Sequence, residues 1–142
     1  MEKVRLLIVD DEDAFRRTVA KRLIKRDIDT KQAVSGEECL EILKKDPVDV
    51  VVLDVKMPGM DGIETLHHIK KKYPKTEVIM LTGHATTQDG VDGIKTGAFD
   101  YLSKPIELEH LLGKIRQAYE KLVREEEKQK EADLGPKWSS RL

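Results

Sequence analysis

The sequence predicts an α/β domain, a doubly wound sheet of five parallel strands with five helices on its two faces. Three observations carry this prediction. Apolar runs of four or five residues recur at Leu6-Leu7-Ile8-Val9, Val50-Val51-Val52-Leu53, Val78-Ile79-Met80-Leu81 and Phe99-Asp100-Tyr101-Leu102-Ser103. Runs this short and continuous, separated by helix-patterned stretches, read as parallel strands covered on both faces. Each run also stops at a residue suited to phosphate or metal: Asp10-Asp11, Asp54, Thr82 and Lys104-Pro105. Ligands of open parallel sheets lie outside the carboxyl ends of the strands, where these residues would gather.

The elements follow in order. After Asp11, Asp13 to Arg26 carries Phe15, Val19, Leu23 and Ile24 at helical spacing, with Asp13 as the expected N-cap. Thr30 to Val34 is a short second strand. Ser35-Gly36-Glu37-Glu38 opens a helix through Leu43, with Leu40 and Leu43 facing inward and Pro47 after its end. The Val50 strand leads into the turn-rich loop Met57-Pro58-Gly59-Met60-Asp61-Gly62. Ile63, Leu66 and Ile69 form one face of a third helix that ends before Tyr73-Pro74. The Val78 strand passes through Gly83 to a fourth helix, Thr86 to Lys95, capped by Gly97. The last strand enters a long final helix with an apolar stripe of Leu108, Leu111, Leu112, Ile115, Ala118, Tyr119, Leu122 and Val123. Arg124 to Glu131 is wholly polar, so residues 1–123 form the domain and 124–142 a charged helical extension with a disordered tail from Lys137. The extension lacks the apolar seam of a coiled coil.

Composition narrows the function. Charged residues make up 37% of the 142, yet the net charge is only -1, so no basic surface for nucleic acid is expected. No segment has the length of a membrane span or the core of a signal peptide, which predicts a cytoplasmic protein. The single cysteine, Cys39, excludes an internal disulfide and a cysteine zinc site. His67 and His68 are expected to face solvent, and His110 and Cys39 to be partly buried.

Asp10, Asp11 and Asp54 would lie within a few ångströms of one another if their strands are neighbours. Like charges that close destabilise the fold unless a cation neutralises them. Hard carboxylate oxygens suit Mg²⁺, which keeps several waters and binds few protein groups. Lys104 adds a positive charge and Thr82 a hydroxyl that can donate to a phosphoryl oxygen. Phosphoryl transfer depends on positioning and charge stabilisation, and these parts suffice for it. Asp54, alone after a central strand, is the best candidate nucleophile.

With those residues in place, the chain resembles the receiver domain of the bacterial two-component response-regulator family. Ile8-Val9-Asp10-Asp11-Glu12 matches the acidic pair, and Leu53-Asp54 through Met57-Pro58-Gly59-Met60-Asp61-Gly62 the phosphoacceptor strand and loop. Thr82-Gly83 and Tyr101-Leu102-Ser103-Lys104-Pro105 match the switch hydroxyl, the switch aromatic and the Lys-Pro pair. The likeness spans residues 4 to 123, with every motif in order. It implies the flavodoxin-like strand order 2-1-3-4-5. It also implies that Asp54 takes a phosphoryl group from a phosphohistidine on a partner histidine kinase. Asp11 would bind Mg²⁺ directly and Asp10 through water, with Asp54 and the backbone carbonyl of Lys56 as further ligands. Lys104 would contact the phosphoryl group and Thr82 move to bind it. Tyr101 would then turn inward and reshape the face made by the fourth helix, fifth strand and fifth helix. A cis Lys104-Pro105 bond follows from the same likeness. Lys56 and His84 border the path of the hydrolytic water in this family, so they are expected to tune self-dephosphorylation.

Two other classes compete. A phosphatase of the haloacid-dehalogenase type places two acids one residue apart after its first strand, whereas Asp10 and Asp11 are adjacent. A pseudo-receiver acting without phosphorylation would lack Asp54, the acidic pair or Lys104, and all are present. The expectation is thus a signalling domain whose only chemistry is its own phosphorylation and dephosphorylation. His84 to Thr87 with Gly97 to Tyr101 resembles receivers attached to nitrogen-regulation-type ATPase activators. The chain is therefore expected to stand alone or to head a longer protein, with an unidentified effector and a phosphorylation-dependent homodimer as outputs. Gly90 and Gly93 make the fourth helix weak, at about 1 kcal/mol each against alanine, and predict a loosely held element.

Overall fold

The computed structural model describes residues 3–135. Five strands and five helices alternate: β1 Arg5–Val9, α1 Asp13–Lys25, β2 Asp29–Ala33, α2 Gly36–Lys45, β3 Val50–Leu53, α3 Gly62–Lys72, β4 Glu77–Thr82, α4 Thr87–Thr96, β5 Asp100–Ser103 and α5 Leu108–Leu134. The strands are all parallel and pair in the order β2-β1-β3-β4-β5. Alternate residues of one strand point to opposite faces, so β1, β3 and β4 feed two cores. Leu7, Val9, Val51, Leu53, Val78 and Met80 pack with Cys39, Leu43, Leu66 and Ile69 of α2 and α3. Leu6, Ile8, Val50, Val52, Ile79 and Leu81 pack with Ala20 and Leu23 of α1 and with Leu111, Leu112, Ile115 and Ala118 of α5. Both faces are covered, which is why these strands read as unbroken apolar runs.

Several details differ from expectation. β2 begins at Asp29 rather than Thr30 and ends at Ala33. It is an edge strand with polar residues on its open side, so its apolar signal is faint. Asp13 is the first helical residue of α1, not its N-cap; Glu12 holds the cap position without a side-chain hydrogen bond. The carboxylate of Asp13 goes instead to Arg16, 2.8 Å away. His110 is exposed, because the inward stripe of α5 passes through Leu111 and Leu112. His67 is exposed and His68 half-buried. Cys39 is fully buried, and burial pushes its thiol pKa up to about 12. The thiolate is the reactive form. At pH 8, then, a maleimide is expected to label Cys39 only once the protein is unfolded; rapid labelling of the native chain would contradict this packing.

The glycines of α4 have a packing reason. A Cβ on Gly90 would stand 3.2 Å from the Tyr101 ring, and one on Gly93 2.9 Å from Met80 Sδ. Their absence lets α4 settle close over β4 and β5. Thr86 caps its start by accepting from the Asp89 amide, and Gly97, with φ 117, ends it in the left-handed region. The far edge of the sheet carries a charge cluster that the sequence does not announce. Glu77, 2% exposed, accepts from Lys121 of α5 at 2.8 Å and lies 3.6 Å from Lys70 of α3. It thereby joins helices of the two opposite faces. α5 continues past its last buried residue, Leu122, through Arg124 to Leu134, with a Gln129–Asp133 contact of 2.9 Å along its surface. The tail expected to be disordered, Lys137 to Leu142, lies outside the described residues.

Candidate functional site

The carboxyl edge of the sheet gathers the predicted residues because the strands end level there. Asp10 follows β1, Asp54 follows β3, Thr82 closes β4 and Lys104 follows β5. β1 and β3 are neighbours in register, Val9 beside Leu53, so the two aspartates leave the sheet side by side. One ligand oxygen from each of Asp10, Glu12 and Asp54 fits within a mutual distance of 4.8 Å.

Lys104 crosses this group from the other side. Its Nζ stands 2.6 Å from Asp10 Oδ2, 3.2 Å from Glu12 Oε1 and 3.9 Å from Asp54 Oδ2. The ammonium also sits 4.1 Å above the centre of the Phe15 ring, a cation–π contact. Burial pushes the Asp10 carboxyl above its ordinary value, and the hydrogen bonds from Lys104 and the Glu12 amide offset only part of that rise. For Lys104 burial acts in the other direction, yet the hydrogen bond to Asp10 and the pull of the acids outweigh it and hold its pKa above normal. One ammonium thus faces three acids: with Asp10 as its nearest partner, Glu12 and Asp54 are left over.

Of those two, Asp54 is the buried one. It is 3% exposed, and among the described residues its Oδ1 has no hydrogen-bond partner. Buried polar atoms are nearly always paired. A bare carboxylate oxygen beside two further acids suits a hard cation that brings its own waters. The residues present thus fit a small divalent ion.

The loop after Asp54 is held from three directions. The Gly62 amide donates to the Val55 carbonyl at 2.8 Å. Asp61 caps α3 by accepting from the Glu64 amide at 2.9 Å, and Glu37 of α2 accepts from the Met60 amide at 3.2 Å. A Cβ on Gly62 would fall 2.2 Å from the Asp54 carbonyl oxygen, so this position admits only glycine.

Of the predicted residues, Asp10, Asp54 and Lys104 converge. Thr82 is fully buried at their side, and its Oγ1 accepts from the His84 amide at 3.1 Å. Asp11, expected as a direct metal ligand, is exposed and stands outside the grouping, where Glu12 takes the third place. The signal for Glu12 lay in plain view as the third acid in a row. The Lys56 side chain points away, 3.9 Å from Asp89 at the start of α4. Tyr101 is half-buried against α4, and its hydroxyl accepts from the Thr86 amide at 3.2 Å. The Lys104-Pro105 bond is cis.

A family model described as the response regulator receiver domain matches residues 6–116. An NtrX-like response regulator of Rickettsia felis is 39% identical over 129 residues, covering 88% of this chain and 27% of that protein. The regulatory protein AtoC of Escherichia coli is 37% identical over 75% of this chain and 23% of its own length. Among solved structures, the receiver domain of NtrX from Brucella abortus superposes with a TM-score of 0.77 at 32% identity, over 81% of this chain and 98% of that one. The chain thus spans about a quarter of the length of these two curated relatives.

Proposed function

Since the chain belongs to the response regulator receiver domain family, we propose that Asp54 accepts a phosphoryl group from a histidine kinase or phosphotransfer protein. The observation that carries this is the buried, unpaired Oδ1 of Asp54 beside an ammonium and two further acids. That oxygen attacks the phosphorus of a phosphohistidine. The P–N bond breaks, its electron pair returns to the imidazole, and an acyl phosphate remains on Asp54.

Asp10, Asp11, Asp54 and the backbone carbonyl of Lys56 would hold Mg²⁺, beside Glu12, the acid already grouped with Asp10 and Asp54. A divalent ion held there would supply positive charge to the acids and to the transferring phosphoryl oxygens. Lys104 contributes its ammonium to one phosphoryl oxygen. It is already held at the site by Asp10 and Glu12, so little reorganisation is needed. Thr82 donates its hydroxyl to another oxygen, giving up the bond it accepts from the His84 amide. Movement of Thr82 leaves room behind it for the Tyr101 ring, whose hydroxyl then releases the Thr86 amide at the start of α4. The signal thereby reaches the face of α4, β5 and α5, and from there an effector or a second copy. No helix among the described residues is long and apolar enough to cross a membrane, which accords with work in the cytoplasm beside a kinase.

The test is direct. The full chain is incubated with Mg²⁺ and a small acyl phosphate, and its intact mass is followed. One phosphate adduct is expected, absent from Asp54→Ala and absent when a chelator removes the ion. No adduct on the native chain, or an adduct that persists in Asp54→Ala, would refute the assignment.

A further inference from the structure

Asp10 and Asp54 are held in opposite ways. Asp54 leaves one oxygen bare, whereas every polar atom of Asp10 has a partner. Its amide donates to the Ala33 carbonyl at 3.1 Å, its Oδ1 accepts from the Glu12 amide at 2.9 Å, and its Oδ2 accepts from Lys104 at 2.6 Å. The fourth partner comes from outside the site. Arg16, in the first turns of α1, donates from Nη1 to the Asp10 carbonyl at 2.9 Å.

Arg16 is 4% exposed, and its other nitrogens are engaged as well. Nε donates to Gln32 Oε1 in β2 at 3.0 Å, and Nη2 lies 2.8 Å from the Asp13 carboxylate. One guanidinium therefore ties together the turn after β1, the start of α1 and the edge strand β2. Only arginine presents donors in a rigid fork able to meet three acceptors at once. A buried cation is a poor device for stability alone, because an apolar side chain of similar volume commonly does as well. Its place here calls for a reason in the turn it holds, and that turn is Asp10-Asp11-Glu12.

We infer that Arg16 is a positioning residue for the divalent cation, fixing the Asp10-Asp11-Glu12 turn so that its carboxylates are aligned before the ion arrives. This rests on the assignment of the ion to the Asp10–Asp54 site. Arg16 touches neither ion nor phosphate; it acts through the backbone of Asp10. Groups that orient metal ligands are typically worth 10- to 100-fold in affinity. A contact made through the backbone belongs at the lower end of that range.

Mg²⁺ binding by the full chain, measured by isothermal titration calorimetry, tests the inference without requiring phosphorylation. Arg16→Met is expected to weaken Mg²⁺ binding about tenfold. Arg16→Lys should fall between it and the native chain, since an ammonium reaches one or two of the three acceptors. Leu23→Ala serves as the stability control: it empties part of the core beneath the same helix and touches no group of the site. It is expected to lower the melting temperature and leave Mg²⁺ affinity unchanged. In the phosphorylation assay, Arg16→Met is expected to need more Mg²⁺ for half-maximal uptake while keeping its limiting rate. Mg²⁺ affinities of Arg16→Met and Arg16→Lys both within about twofold of the native chain would overturn the inference. So would equal weakening by Leu23→Ala. Should Arg16→Met fail to fold, Arg16→Lys against Leu23→Ala decides. A native chain that binds Mg²⁺ but never gains phosphate would refute the acceptor role of Asp54 and leave the Arg16 comparison fully readable.

Discussion

Asp54→Asn is expected to raise the stability of the metal-free protein by about 1–2 kcal/mol while ending its uptake of phosphate. A buried polar atom without a partner costs roughly 1–3 kcal/mol, and Asp54 Oδ1 is such an atom. Asparagine keeps the shape, removes one of three crowded negative charges, and offers an amide that the Asp10 or Glu12 carboxylate can accept from. The opposing effect is the loss of the Lys104 attraction to Asp54. That contact is long, at 3.9 Å, and Lys104 keeps Asp10 at 2.6 Å and Glu12 at 3.2 Å. The relief therefore outweighs the loss. Urea denaturation in the presence of a chelator measures the effect, and adding Mg²⁺ should close the gap by stabilising the native chain alone. A variant less stable than the native chain without metal would mean that Oδ1 is satisfied by water and carries no penalty.

The second large effect concerns the backbone beneath the acceptor. Gly62→Ala is expected to destabilise the fold by about 3 kcal/mol or more. Its Cβ would stand 2.2 Å from the Asp54 carbonyl oxygen and 2.7 Å from Val55 Cα. These are backbone atoms and cannot rotate aside. The Gly62 amide is also bonded to the Val55 carbonyl, so the helix start cannot retreat without breaking that bond. Displacing Asp54 should slow phosphorylation as well. Gly113→Ala is the matched control, because a Cβ at this position in α5 meets nothing within 4 Å. There alanine is expected to stabilise the helix by up to about 1 kcal/mol. Thermal unfolding of the two variants should move in opposite directions; shifts of like sign and size would remove the argument from close approach.

The fold was legible because its strands are buried on both faces and therefore apolar throughout. The exception was β2, whose Asp29–Ala33 sequence at the sheet edge carries little apolar signal. The convergence of Asp10, Asp54, Thr82 and Lys104 was legible because parallel strands end at one edge. What escaped were charged residues serving inside. Arg16 shares the inward spacing of Ala20 and Leu23, but its charge reads as solvent-facing, and only three acceptors from separate segments make its burial possible. Glu77 looks like a polar strand opening, and only the approach of Lys70 and Lys121 makes its burial tolerable. Glu12 joined the acids because α1 starts one residue earlier than the cap assignment placed it, which puts Glu12 at the cap beside Asp10. Such pairings join residues far apart in sequence, and no local pattern encodes them. The glycines of α4 read as weakness when seen alone and as clearance once Tyr101 and Met80 are beside them.

The grip of Glu77 on Lys121 has a mechanical consequence. Lys121 stands midway along α5, which runs from Leu108 to Leu134. At 1.5 Å per residue each arm measures about 20 Å. The near arm lies along β3 and β4, and the far arm extends past the last buried residue. With the near arm clamped to the core by Leu111, Leu112, Ile115 and Ala118, the helix is a cantilever whose last fixed point lies at Lys121 and Leu122. Any tilt of the clamped half would swing Leu134 through a distance set by the length of the free half.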